Sequence, residues 1–171
     1  MRTLAAMSFV LLCLSLAVSL APPTASGDVQ TLPDTRPAAA ASPYFEAVPV
    51  VIDPQGQPLA AYQFELSSPN AELTIVGLEN GEHPAFADAP FYDTDAVNQG
   101  RADRIIVAAY SLLPGEELPN QPTRVATVMV QVQLSPDAEP GTVAEYQLDL
   151  ITAGNPAGEP IPAALFRGAQ P

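Results

Sequence analysis

From Tyr44 onward the chain is a series of strand-length segments, alternating or rich in β-branched residues, separated by Pro, Gly, Asn and Ser turns. No amphipathic helix lies among them. Together these features predict an all-β protein, an antiparallel β-sandwich with jelly-roll topology and about eight strands. The clearest stretch is Pro58 to Gly81. Ala60, Tyr62, Phe64 and Leu66 alternate with Ala61, Gln63 and Glu65, the period of two that gives a strand one buried and one wetted face. Ser67, Ser68, Pro69 and Asn70 turn the chain, and a second, mostly apolar strand, Leu73 to Leu78, ends at Asn80 and Gly81.

The first residues read as an export signal. Arg2 is the single charge before an apolar run from Leu4 to Ala21 that only serines interrupt. Pro22 argues against cleavage after Ala21, whereas Thr24, Ala25 and Ser26 place small residues just before Gly27. The run also reaches the roughly 18-residue minimum for spanning a bilayer, so an uncleaved anchor is the alternative. Cys13 follows Leu12 rather than a small residue, which speaks against a lipid anchor. Gly27 to Ser42 is Pro, Ala, Thr and Asp with little to bury, a flexible tether. The expected division is signal 1–26, tether 27–42 and sandwich domain 43–168.

The remaining elements follow in order. Tyr44 to Ile52 is a strand whose Pro49 suggests an edge position or a bulge, and Asp53, Pro54, Gln55 and Gly56 make a turn. After Gly81 the chain has no clean period, and Phe86, Phe91 and Tyr92 anchor a packed excursion with one short strand near Pro90 to Tyr92. Arg104 to Leu112 is a strand with Ile105, Val107 and Ala109 on one face and Arg104, Ile106, Ala108 and Tyr110 on the other. Thr123 to Leu134 is the longest strand, apolar enough on both faces to be central. Ala144 to Thr152 alternates sharply, with Tyr146, Leu148 and Leu150 inward, and Ile161 to Arg167 closes the domain, limited by Pro162 to an edge or a bulge.

Composition narrows the function. Once the signal is removed no cysteine remains, so the exported chain has no disulfide and no thiolate, and its core must hold it alone. About 145 residues remain from Gly27, enough for one domain that buries roughly two thirds of its extended-chain surface. That chain carries five arginines against 19 acids, a net charge of −14, and contains no lysine. Nucleic acid is therefore excluded as a partner, because phosphate neutralisation needs clustered cations. No membrane insertion is expected after signal removal.

Catalytic chemistry is poorly supplied. There is no Gly-x-Ser-x-Gly elbow, and the single histidine, His83, precedes Pro84 in a polar loop. Neither an enzyme activity nor a cofactor is expected. Asp93, Asp95, Asn98 and Asp103 could offer oxygen ligands to calcium, but the EF-hand spacing fails at Val97 and no glutamate closes the loop, so a solvated turn is the expectation and no metal is assigned. Tryptophan is absent and Tyr62, Phe64 and Tyr146 fall on inward positions, which leaves Tyr44, Tyr92 and Tyr110 as possible sugar platforms.

In order and spacing, LAAYQFEL with its corner, LTIVGLENG, PFYD at Pro90 to Asp93, RIIVAAYS at Arg104 to Ser111 and RVATVMVQV at Arg124 to Val132 resemble a cohesin-type module. The resemblance spans most of Pro58 to Leu134. A full cohesin has two strands where one precedes Pro58 here, and the corner reads SSPN in place of Tyr-Asp-Pro. The resemblance implies a jelly roll, a secreted non-catalytic binding module and a dockerin-like protein partner. Cellulose-binding modules share this superfamily, so an extracellular polysaccharide ligand is the alternative, followed by a structural cell-envelope role.

Parity and resemblance together place the binding face. With Tyr62, Phe64 and Leu66 inward, Gln63 and Glu65 point out, and in cohesins the strands resembling this one and Arg104 to Leu112 lie in the partner-binding sheet. The expected partner-binding residues are Gln63, Glu65, Arg104, Ile106 and Tyr110, with Arg104 and Tyr110 as anchors and Gln63 and Glu65 setting specificity.

Overall fold

The structure, a computed structural model, describes residues 42–169. The signal at 1–26 and the tether at 27–42, Ser42 apart, lie outside the described residues. Seven strands appear: β1 Tyr44–Asp53, β2 Ala61–Ser67, β3 Ala71–Asn80, β4 Ile105–Tyr110, β5 Thr123–Leu134, β6 Gln147–Gly154 and β7 Ala164–Arg167. They form two antiparallel sheets, one ordered β3-β5-β1-β7 and the other β4-β2-β6. Consecutive strands always lie in opposite sheets. The short strand expected at Pro90 to Tyr92 shrinks to a single bridge between Phe91 and Ala108, so the named strands number seven rather than about eight.

Alternation decides what each sheet buries. Tyr62, Phe64 and Leu66 of β2 join Val48, Val50 and Ile52 of β1 and Val128, Val130 and Val132 of β5 in one core. Each fully buried side chain of this kind is worth about 1.5–3 kcal/mol relative to exposure. Within the core, Tyr62 stacks on Phe64 and meets Phe86 edge to face at a centroid distance of 5.1 Å.

Pro49 is tolerated although β1 lies between β5 and β7, because β7 pairs only with Val50–Asp53 and leaves that side of β1 open at Pro49. The Pro49 carbonyl accepts from the Gly168 N–H at 2.9 Å, so the side of Pro49 that lacks a donor faces past the end of β7 and away from β5. One residue later the register slips. Val50 pairs with Ala126 and Val51 with Arg124, leaving Val125 as an extra residue on β5. Val125 and Ala126 both turn inward and are fully buried. The Tyr62 hydroxyl donates to the Val125 carbonyl at 2.9 Å, tying the bulge to the facing sheet, and burial holds that phenol's pKa well above its ordinary value.

The open sides of the sandwich are closed by different means. On one side the excursion between β3 and β4 covers both edges: the Ile75 N–H donates to Ala102, and Phe91 exchanges two backbone hydrogen bonds with Ala108. That excursion holds a five-residue helix, α1 (Thr94–Asn98), where the sequence suggested only a turn. A helix this short shows no 3.6-residue period, and the Asp93 carboxylate caps it by accepting from the Ala96 N–H at 2.9 Å. On the other side Glu46 of β1 accepts from the Tyr146 hydroxyl at 2.6 Å and pairs with Arg167 of β7, whose guanidinium lies 5.0 Å from the Tyr146 ring centroid. Burial, and then the carboxylate's hydrogen bond and charge, raise the Tyr146 pKa.

The expected turn after β1 is present, with one unfavourable residue in it. Gln55 (φ 53°) and Gly56 (φ 84°) both take left-handed backbone between Pro54 and Gln57, whose N–H donates to the Pro54 carbonyl. Asparagine enters that region more readily than glutamine. Gln55→Asn should raise stability by about 0.5 kcal/mol, part of the roughly 1 kcal/mol such a residue costs. Urea unfolding would show this as a higher midpoint at unchanged slope, and a lower midpoint would contradict it.

Candidate partner-binding face

The outer face of β4-β2-β6 is built by the residues that alternate with the core. Gln63 of β2 lies between Ala108 of β4 and Thr152 of β6, and Glu65 lies between Ile106 and Asp149. Both are half-buried, their stems covered by neighbours on either side. Tyr110 pairs with Ala61 at the far end of β4. Four of the five expected residues thus share one face of adjacent strands.

Arg104 reaches the same face from just outside the sheet. It precedes β4 instead of beginning it, and its Nη1 lies 3.3 Å from Glu65 Oε1. Glu65 and Asp149 are like charges directly opposite each other, and the arginine offsets that repulsion from the other side. Asp149 is also held by the Gln147 side-chain amide at 2.8 Å. Being exposed, the Arg104–Glu65 pair is worth at most about 1 kcal/mol. The side chains expected as an anchor and a specificity group are thus ion-paired with each other.

The apolar part of the face is larger than the alternation indicated. Phe91 is 62% exposed and Tyr110 60%, and their rings stack with centroids 5.9 Å apart and planes 3° from parallel. Ile106 on β4 is 44% exposed and Ile151 on β6 50%, with Gln63 and Glu65 of β2 on the face between these strands. Ile151 is outward by alternation with Leu148 and Leu150, and the bulge that leaves it between Thr152, paired with Gln63, and Leu150, paired with Phe64, turns Thr152 outward as well. Sequence reasoning missed Phe91 and Ile151. Phe91 was expected to anchor its loop, but Pro90 is buried beside it, Tyr92 is half-buried, and Phe91 points out between them. A single bridge at Phe91 is too short to show alternation, whereas the inward parity of Leu148 and Leu150 already carries the signal for Ile151.

The exposed aromatics of the other sheet do not form a comparable patch. Phe45 and Phe166 are exposed on its outer face, but Phe166 sits opposite Val51, at the other end of β1 from Phe45. Tyr44 and Tyr92, expected with Tyr110 as sugar platforms, are also separated from it: Tyr44 begins β1, and Tyr92 packs against the core.

The candidate polar chemistry is taken up by local structure. His83 Nδ1 accepts from the Ala85 N–H at 3.1 Å, capping the short 3-10 turn Pro84–Phe86. Among the described residues no group of three or more His, Cys, Asp or Glu side chains is placed to hold a metal ion, and no helix is long and apolar enough to cross a membrane.

The chain matches no protein-family profile and no curated protein. It is similar in structure to a chain of the Coh-OlpA–Doc918 complex, a type I cohesin–dockerin complex from Clostridium thermocellum. The likeness has 14% identity and a TM-score of 0.45, and covers 70% of this chain and 82% of the other.

Proposed function

We propose that this chain is an exported, non-catalytic binding module that holds a protein partner on the outer face of β4-β2-β6. The observation that carries the reading is the exposure of Phe91, Tyr110, Ile106 and Ile151 on this face, beside the Arg104–Glu65 pair. Single exposed apolar residues are ordinary, but a stacked aromatic pair with Ile106 on the same strand, and Gln63 and Glu65 between them and Ile151, has the mixed composition of a protein interface. The sequence resemblance makes a dockerin-like module the partner to test first. Rigid sheet backbone beneath this face limits the ordering cost of binding.

Titration calorimetry against a panel of dockerin modules tests this. For a module that binds, Tyr110→Ala should weaken affinity by about 2 kcal/mol or more, roughly 30-fold, because a truncated central aromatic leaves its partner groups unpacked. If the double variant Arg104→Ala, Tyr110→Ala keeps both fold and affinity, the partner face is elsewhere. The exposed Phe91–Tyr110 pair also favours one second reading, stacking against a polysaccharide. Retention on insoluble glucan that disappears in Phe91→Ala would establish that reading and displace the first.

A further inference from the structure

β6 forms one edge of the smaller sheet, and hydrogen-bond parity shows what that edge presents. Ala108 of β4 exchanges both of its backbone bonds with Phe91, so its N–H and C=O point away from β2. Gln63, opposite Ala108, therefore turns its own groups toward β6, and so does Glu65 two residues on. Asp149, opposite Glu65, bonds to β2 in turn, and its neighbours Leu148 and Leu150 project their N–H and C=O groups from the other side of the strand. Past the bulge the Ala153 carbonyl points the same way and is met by the Ile161 N–H at 2.9 Å. Among the described residues nothing meets the groups of Leu148 and Leu150, and β7, in the other sheet, does not pair with them. The side chain that stands outward between the two leucines is Asp149. It is exposed, held by the Gln147 side-chain amide at 2.8 Å, and takes no part in the described ion pairs, Arg104–Glu65, Arg124–Glu82 and Arg167–Glu46.

We propose that the β6 edge binds an extended segment of the partner protein, which adds a strand to the sheet and carries a lysine or arginine opposite Asp149. N–H and C=O groups on alternate residues of a strand are the complement of another strand's backbone, which offers the same groups at the same spacing. The added strand bonds through its residues opposite Leu148 and Leu150 and sets the residue between them beside Asp149 on the outer face. A cation is favoured there, because Glu65 flanks Asp149 on its other side and Arg104 offsets only one of the two acids. Leu148 and Leu150 are half-buried, so β-branched apolar residues suit the positions opposite them. The same carboxylate argues against a second copy of this chain as the occupant. Antiparallel pairing of β6 with β6 about Asp149 would place two aspartates directly opposite each other, which is destabilising and guards the edge against self-association. The inference rests on the proposed binding module and extends its face by one strand.

The probe is Ac-Thr-Val-Arg-Val-Thr-NH2, titrated into the isotopically labelled protein while amide chemical shifts and amide hydrogen exchange are followed. It should shift Leu148, Asp149 and Leu150 and slow exchange at the Leu148 and Leu150 amides. The same peptide N-methylated at both valines cannot donate the ladder bonds, and it should do neither; nor should Ac-Thr-Val-Glu-Val-Thr-NH2. Asp149→Asn should lower the affinity for the basic peptide by about threefold, the scale of one exposed ion pair. Asp149→Lys should move the preference to the acidic peptide, and because Asp149 is exposed both variants keep the fold. Equal effects of the N-methylated or the acidic peptide, or unchanged shifts and exchange at Leu148 and Leu150, would overturn the inference. So would sedimentation that shows the parent protein dimerising and Leu150→Pro, which removes an edge donor, returning it to monomer. A dockerin module whose binding is weakened by Tyr110→Ala but is indifferent to Asp149→Lys and leaves exchange at Leu148 and Leu150 unchanged would also overturn it, with the proposed face left standing. Peptide binding at β6 together with a partner indifferent to Tyr110→Ala would do the reverse.

Discussion

Phe64→Ala should destabilise the domain by about 3–5 kcal/mol, the transfer and cavity cost of removing a fully buried phenylalanine. Phe64 is at 0% exposure on the middle strand of the smaller sheet, where it pairs with Val107 and Leu150 and stacks on Tyr62. Neighbours on three sides belong to paired strands, so little can move in to fill the space. Chemical unfolding of the variant beside the parent measures the loss. A cost below about 1 kcal/mol would mean that the faces of β2 are reversed, because changes at exposed positions stay on that scale. The binding-face assignment would fall with it, since Gln63 and Glu65 are outward only if Phe64 is inward.

Gly81→Val should cost at least about 3 kcal/mol, the upper part of the overpacking range. A Cβ at this position would lie 3.0 Å from each of the Arg124 carbonyl, the Val125 carbonyl and the Phe86 Cβ. Two of these are backbone atoms, and both are in use. The Glu82 N–H donates to Arg124, and the Tyr62 hydroxyl donates to Val125. The Gly81 N–H itself donates to Phe86 at 2.9 Å, which fixes the glycine from the third direction. Relief needs all three neighbours to give way together, and two of them are hydrogen-bonded carbonyls of β5. A thermal midpoint for Gly81→Val within a degree or two of the parent would refute this.

Gly81 also shows what the sequence conveys and what it conceals. It reads as a strand terminator, and it does follow β3, but the reason only glycine fits is close approach to β5, a long-range contact with no local sign. Period-two alternation made β2 and β5 legible, because each has a continuous apolar face that only one register can bury. The same parity rule brought Gln63, Glu65, Ile106 and Tyr110 to one surface. It failed where the count of residues slips. The bulges at Val125 and Ile151 each turn two successive residues to one side, and neither is marked by a glycine or a proline at the slip. Pro49 suggests an edge position or a bulge, and both are found: the β7 side is open at Pro49, and the register slips one residue later. Phe91 was misplaced for another reason: a single bridge is too short for alternation to be seen.

The regular passage of the chain from one sheet to the other bears on how the protein acquires its structure. Among the described residues no strand pairs with the next in sequence; the ladders join β1 to β5 and β7, β2 to β4 and β6, and β3 to β5. No hairpin can therefore form early and serve as a local template, and every ladder must close a loop that contains at least one other strand. β1, the first of the described strands, finds one neighbour only in β5 and the other only in Ala164–Arg167, the last of them. Such a topology folds on the millisecond-to-second scale instead of in microseconds. Until the last strand arrives, the β1 edge and the valines of the core stay open to other chains, and folding yield should fall with protein concentration more steeply than native-state solubility does.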